Sequence, residues 1–438
     1  MEVIQIEGGH RVTGEVSVEG AKNSALKLMA ATIMAPGVTT LTNVPNIADV
    51  HVMGKVLKNI GARIEVVNEH ELRIDTSDVD SWETPYHLVA QMRASTAVLG
   101  PLLSRFGRAI VAMPGGCNIG ARSIDMHILG LEALGVEFSV KHGNIHASAP
   151  HGLVGNTVTL SFASVGATEN VMMAAALLKG RTVLSNVARE PEITDLQNFL
   201  NAMGARISGA GTHTVTVEGV DRLRGVSYCP MPDRIVAGTL LAAAAATGGD
   251  IRLTNVPCRD LYAVFTKMRE MGCEIDEEES AVRLRAPQRL TAFQQLQTQP
   301  HPGFPTDMQA QMLALAAMAK GTSVVVENVF ENRFAHAGDL NRMGANVLVN
   351  GRTAVVQGVD MLYGTHVTAR DLRGGAALVI AGLAARGETL VERAELIDRG
   401  IKGGETERIV PLALTMVGVT LARALLMYFC NVMANWGG

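Results

Sequence analysis

One phrase recurs six times along this chain, a glycine followed by a β-rich run. It reads GVTTLTNV at Gly37, GRAIVAMP at Gly107, GRTVLSNV at Gly180, GDIRLTNV at Gly249, GTSVVVENV at Gly321 and GETLVERA at Gly387, with spacings of 70, 73, 69, 72 and 66 residues. A second phrase keeps the same rhythm: GARIEV at Gly61, GVEFSV at Gly135, GARISG at Gly204, GCEIDE at Gly272 and GANVLV at Gly344. Its sixth copy is degenerate, with Gly418 in MVGVTL the nearest match. Self-similarity at a fixed period makes each copy one supersecondary unit that buries its apolar face against its neighbours. Units of this length exceed the usual solenoid repeat, so they are expected to group into compact domains of two or three units each. A chain of 438 residues has room for two or three such domains.

The first unit shows the pattern. RVTGEVSVEG is strand-like, and SALKLMAATIMA reads as apolar on every face, which predicts a fully buried helix. GVTTLTNV is a strand. VHVMGKVLKNI places Val50, Met53, Leu57 and Ile60 on one helical face. ARIEVV and ELRIDT alternate around NEH as a hairpin. Each unit is therefore expected to be β-α-β-α-β-β, its first helix buried and its second amphipathic.

Composition narrows the function classes. The formal net charge of −4 has the wrong sign for bulk nucleic-acid binding. The N-terminus MEVIQIEGGHRVTG has no basic n-region and no apolar h-region, and no uncharged apolar run is long enough to span a bilayer. The expected location is the cytoplasm, with no membrane partner. The five cysteines, Cys117, Cys229, Cys258, Cys273 and Cys430, form no CxxC pair, which fits a reducing compartment. No HxH, HExxH or Cys/His spacing suggests a metal, and neither the P-loop pattern nor GxGxxG is present.

The buried helices share polar starts: GAKNSA with Lys22 and Asn23, QMRAST with Arg93, SVGATEN, PDRIVAG with Asp233 and Arg234, PTDMQAQ with Asp307, and ARDLRGG with Asp371 and Arg373. A cation at a helix N-terminus opposes the dipole unless an anion stands between them. Free N–H groups beside a cation make an anion site. The alternative for each is a solvated charge or an ion pair with a neighbouring Asp, but charge at this point in five of six repeats favours a shared polar cleft. In PGGCNIGAR, Cys117 sits among glycines with Arg122 five residues on. Glycines allow close backbone approach to a ligand, and a nearby cation lowers a thiol's pKa. The other cysteines read as small buried hydrophobes.

GAKNSA, PGGCNIGAR, SVGATEN, AREPEITDL, PTDMQAQ, FENRF, DLRGG and IDRG occur in the order found in UDP-N-acetylglucosamine 1-carboxyvinyltransferases, and the resemblance runs to about residue 400. It implies an α/β fold, a two-domain inside-out α/β barrel built from six βαβαββ repeats with pseudo-threefold symmetry in each domain and ligands in the cleft between them. The implied domains are 1–21 plus 232–438, and 22–231. The implied reaction transfers the enolpyruvyl group of phosphoenolpyruvate to the 3-hydroxyl of UDP-N-acetylglucosamine and releases phosphate, opening peptidoglycan synthesis. It needs no cofactor and no metal, and a monomer is expected.

The resemblance also carries roles, residue by residue. Cys117 resembles the family's proton donor and the thiol that fosfomycin alkylates. Asp307 resembles the base or relay for the sugar hydroxyl, although the residues alone also allow an ordinary helix N-cap. Lys22, Arg122 and Arg399 match cations around phosphoenolpyruvate. Asn23, Arg93, Asp371 and Arg373 match substrate-binding positions. Arg122, Ser123, Ile124, Asp125 and Met126, with Ser164, Val165 and Gly166, match uridine-binding segments. Val329 matches a sugar-nucleotide contact, and Glu190 is a weaker match. Ser123 replaces the usual proline, DRIVAG lacks an acidic residue usual after its isoleucine, Ile401 replaces a usual tyrosine, and the chain departs from the family pattern after Gly400. Two further readings remain open: the sister transferase acting on shikimate 3-phosphate, against which the cysteine loop argues, and a catalytically silent paralogue that binds the sugar nucleotide.

Overall fold

The computed structural model describes residues 2–89, 93–113 and 124–399, with residues 93–95 described for their backbone only. These residues form two compact units, one of residues 2–19 and 232–399, the other of 20–89, 93–113 and 124–231.

In the first unit three helices, Arg234–Ala246, Gln309–Met318 and Leu372–Ala384, pack on one another. Alanine and leucine dominate them, and their residues are buried almost throughout. An all-round apolar helix has no solvent face to offer, so it must sit inside. Each packs against its own sheet. The sheets run Glu274–Glu277, Ala281–Arg285, Asp250–Thr254, Thr13–Ser17; then Gln295–Gln297, Thr322–Val326, Thr353–Gln357, Asn346–Asn350; and Val3–Glu7, Glu388–Glu392, His366–Thr368.

The second unit repeats the plan with helices Lys22–Ala31, Leu99–Phe106 and Val165–Ala175. Its sheets run Ser227–Tyr228, Val38–Leu41, Glu71–Asp75, Arg63–Asn68; then Arg108–Ala112, Asn144–Ser148, Glu137–Lys141; and Arg206–Ser208, Thr214–Glu218, Arg181–Ser185, Thr157–Thr159. The amphipathic helix of the first repeat is Ala48–Asn59, and Val50, Met53, Leu57 and Ile60 are all buried.

The recurring glycines have a backbone cause. All five of the second phrase, Gly61, Gly135, Gly204, Gly272 and Gly344, have φ between 92° and 112°. This is the left-handed region that ends a helix at little cost only for glycine. Asn43, Asn186, Asn255 and Arg393, at one equivalent point of the first phrase, are left-handed too.

One expectation needs correction, and one pairing is unlike that of the third, fifth and sixth repeats. The first helix is not apolar all round, because Lys27 lies within it and pairs at 2.6 Å with the buried Glu169. The first strand of the first repeat does not pair with that repeat's own Val38–Leu41. Thr13–Ser17 lies parallel to Asp250–Thr254, and Ser227–Tyr228 takes the place beside Val38–Leu41.

Candidate functional site

In the first unit the start of one buried helix and a loop arginine meet on the carboxylate of another helix start. Asp307 lies in the 3-10 turn Thr306–Met308. Its Oδ1 accepts from Arg333 Nη2, and its Oδ2 accepts from Arg373 Nη2 at 2.9 Å. Both arginines are buried, at 3% and 5% exposure, so their charges are withdrawn from water and need this partner. The helix-cap reading of Asp307 fails, since the N-cap residue of the following helix is Met308. Asp371 is the N-cap of Leu372–Ala384, its Oδ1 accepting from the backbone N–H of Arg373 and Gly374 at 2.9 and 3.0 Å. That cap orients the first turn from which Arg373 reaches Asp307. Asp233 caps the equivalent helix by bonds from Ile235 and Val236. His336 is fully buried nearby, and burial holds its pKa below the ordinary histidine range. Val329 follows the Thr322–Val326 strand and donates its N–H to Glu327 Oε1 at 2.8 Å. Arg399 is half-buried behind the short helix Glu395–Asp398.

In the second unit Lys22 opens its helix, and its Nζ stands 2.7 Å from Asp49 Oδ2. The carboxylate, itself 3% exposed, supplies the counter-charge that a cation at a helix N-terminus requires. Asn23 beside it is exposed. Ser24 donates to Asp195 of AREPEITDL, which also accepts from Tyr228 Oη at 2.6 Å and Met231 N at 3.1 Å. Burial raises the Asp195 pKa despite these donors, and burial with the adjacent Asp195 charge raises that of Tyr228 strongly. Ser164 caps Val165–Ala175, its Oγ accepting from Ala167 N at 3.4 Å. Gly166 faces the His127 ring so closely that a Cβ there would stand 3.0 Å from Cε1. Asn170 holds His127 Nδ1 at 3.0 Å and accepts from Gly100 N at 2.7 Å. Ile124 is buried, Asp125 exposed and Met126 half-buried with its Sδ 3.1 Å from Ser161 Oγ. Cys117, Arg122 and Ser123 lie outside the described residues, as does Cys430, and so does the side chain of Arg93.

Residue patterns missed Asp49, Arg333, Glu327 and the Lys27–Glu169 pair. Arg333 stands inside FENRF, so the motif held it without revealing its partner. The small-hydrophobe reading holds for the buried Cys258 and Cys273 but fails for Cys229, which is exposed. Among the described residues no three His, Cys, Asp or Glu side chains gather as a metal site, and no helix is long and apolar enough to cross a membrane.

A repeated α/β unit with buried helices, and charged side chains gathered at their starts, is the build of a carboxyvinyl transferase. The chain belongs to the EPSP synthase (3-phosphoshikimate 1-carboxyvinyltransferase) family, whose sequence model matches residues 6–404. Within that family it is 48% identical over 407 residues to the UDP-N-acetylglucosamine 1-carboxyvinyltransferase of Trichlorobacter lovleyi, covering 93% of this chain and 97% of that one. It is 51% identical over 402 residues to the enzyme of the same name from Myxococcus xanthus, covering 91% and 95%. Among solved structures, the enolpyruvyl transferase NikO from Streptomyces tendae superposes with a TM-score of 0.82 at 26% identity, covering 91% of this chain and 94% of that one. The EPSP synthase of Acinetobacter baumannii shares the fold, with a TM-score of 0.70 at 17% identity over 91% and 96% of the two chains.

Proposed function

We propose that this chain transfers the enolpyruvyl group of phosphoenolpyruvate to the 3-hydroxyl of UDP-N-acetylglucosamine with release of phosphate. The observation that carries the reading is identity of 48–51% with relatives of that name over more than 90% of both chains. The sugar O3 bonds to C2 of phosphoenolpyruvate while C3 gains a proton and O3 loses one. Loss of phosphate from C2 and of a proton from C3 then restores the double bond. Both proton transfers are general acid–base tasks.

In this reading Cys117 delivers the proton to C3 and is the thiol open to fosfomycin. Asp307 accepts or relays the sugar proton, and the guanidiniums on its two oxygens fix its direction. Lys22, Arg122 and Arg399 hold the phosphate and carboxylate of phosphoenolpyruvate, where fixed positive charge stabilises the developing anion. Asp49 keeps the Lys22 ammonium over its helix start. Asn23, Arg93, Asp371 and Arg373 bind substrate. Arg122, Ser123, Ile124, Asp125, Met126, Ser164, Val165 and Gly166 bind the uridine end, and Val329 contacts the sugar nucleotide. The reaction would serve cell-wall synthesis in the cytoplasm, by a monomer.

Phosphate release from phosphoenolpyruvate, measured with each acceptor, tests this. Turnover is expected with UDP-N-acetylglucosamine and not with shikimate 3-phosphate. The reverse result would assign the sister reaction, and release with neither would mark a silent paralogue.

A further inference from the structure

Among the described residues no Lys or Arg is paired with Glu327. It is fully buried, yet its partners among the described residues are hydroxyls and backbone amides. Oε1 accepts from Thr298 Oγ1 at 2.8 Å, Val329 N at 2.8 Å and Phe330 N at 3.0 Å, and Oε2 accepts from Thr306 Oγ1 at 2.9 Å. Thr298 Oγ1 in turn accepts from Asn328 N at 2.9 Å. Four hydrogen-bonding groups thus close on one buried carboxyl group. Burying it is costly unless such bonds are made.

Three of the four donors belong to two segments that the proposed reaction uses, and the fourth, Thr298, follows the Gln295–Gln297 strand. Thr306 immediately precedes Asp307 in the same 3-10 turn. Val329 is the proposed sugar-nucleotide contact. The Phe330 ring lies 5.5 Å under the guanidinium of Arg333, which pairs with Asp307. One carboxylate thus ties the Asp307 turn to the 329–330 backbone and reaches Asp307 from two directions.

Resting on that reaction, we propose that Glu327 is a positioning residue that sets Asp307 and the Val329 backbone in register for the sugar nucleotide. It acts through Thr306 on one side and through the backbone amides of Val329 and Phe330 on the other. A carboxylate that merely knits the end of a strand would lower stability when disturbed and leave kinetics alone.

Thr306→Val removes one donor at nearly constant shape, and Thr306→Ser restores it. Melting temperature, kcat and KM for each substrate are measured on both, on Glu327→Ala and on the Thr306→Val/Glu327→Ala double variant. Displacing reacting groups by a fraction of an ångström is expected to lower kcat/KM for UDP-N-acetylglucosamine about 10–100-fold in Thr306→Val. KM for phosphoenolpyruvate should stay near the wild-type value, and Thr306→Ser should recover most of the loss. The double variant should be no worse than Glu327→Ala alone, since both break one link. If Glu327→Ala does not fold, the valine and serine pair decides. A Thr306→Val protein with a lowered melting temperature but wild-type kcat and KM overturns the proposal, as does an additive loss in the double variant, which would mean that Thr306 acts on substrate by itself. A wild-type chain without turnover refutes the proposed reaction first and this inference with it.

Discussion

Lys27→Met is the substitution whose cost the structure specifies best. Methionine keeps the length of the side chain and removes its charge. Glu169 then loses the ammonium 2.6 Å away at a site where its side chain is 1% exposed. Breaking one partner out of a buried pair costs about 3–5 kcal/mol. The dependence on pH has a definite sign. Burial already holds the Glu169 pKa above its ordinary value, with Lys27 pulling it down and Glu192 and Glu190 pushing it up. A carboxyl whose folded pKa exceeds its unfolded pKa, about 4.3, favours the folded state most below that value, and the benefit is lost as pH rises through the folded pKa. Removing Lys27 raises the folded pKa further and extends that window upward, each added unit removing about 1.4 kcal/mol. The deficit of Lys27→Met against wild type should therefore be largest near pH 8 and shrink towards about pH 5. Urea unfolding at several pH values measures it, and Glu169→Gln in the Lys27→Met background should recover most of the loss near pH 8. A deficit below about 1 kcal/mol at pH 8, or one unchanged across the range, would refute the assignment of Glu169 as a charge that depends on Lys27.

Asp307→Asn is expected to lower kcat by about 10²–10⁴-fold, far more than it weakens sugar-nucleotide binding. Because it also deprives two buried guanidiniums of their anion, melting temperature and turnover must be read on the same sample; normal turnover in the folded variant removes Asp307 from the chemistry. Lys22→Ala should abolish phosphoenolpyruvate binding while calorimetry shows the nucleotide still bound, and arginine at this position should restore charge without geometry. Among the described thiols, a small alkylating reagent should modify Cys229 in the native protein and spare Cys258 and Cys273 until denaturant is added, burial having pushed the Cys273 thiol up to about 12. Deleting residues 2–8 removes the strand paired to Glu388–Glu392 together with Ile4 and Ile6, each 2% exposed. The expected loss is about 3–6 kcal/mol for two buried isoleucines, read as a lowered urea midpoint.

Much of the architecture was legible because the repeat states it six times. Apolar period gave the buried and amphipathic helices, and recurring glycines marked backbone turns that only glycine makes at little cost. Lys27 was misread because one cation in an alanine-rich helix looks incidental until its partner is known, and Glu169 lies on another helix far along the chain. The same limit hid the partners of Asp307. Arg333 and Arg373 follow it by 26 and 66 residues, and no local spacing rule relates them. Motifs nominated residues for the proposed chemistry; they were silent on which residues hold those in place. Asp49 and Glu327 belong to that second group, each a buried carboxylate whose role depends on contacts with other segments.

The strand exchange sets a deeper limit. In the third, fifth and sixth repeats the leading strand lies parallel to the strand of its own repeat: Thr157–Thr159 beside Arg181–Ser185, Gln295–Gln297 beside Thr322–Val326, His366–Thr368 beside Glu388–Glu392. The first and fourth repeats trade theirs. Alternation along a strand says which side chains face the core and nothing about which neighbour supplies the hydrogen bonds. The trade has a consequence for each unit. Every strand of the second unit's sheets falls between residues 38 and 228, so one continuous stretch supplies them all. The first unit draws strands of two sheets from residues 3–7 and 13–17, and pairs them with strands that begin at Glu388 and Asp250. Closing so long a loop adds little to the equilibrium cost, because loop entropy grows only with the logarithm of length. Its effect is on order of assembly, since non-local pairing is slow and the last partner must be present first. The Val3–Glu7 strand cannot dock before Glu388–Glu392 exists, so the first residues of the chain are among the last to find their place.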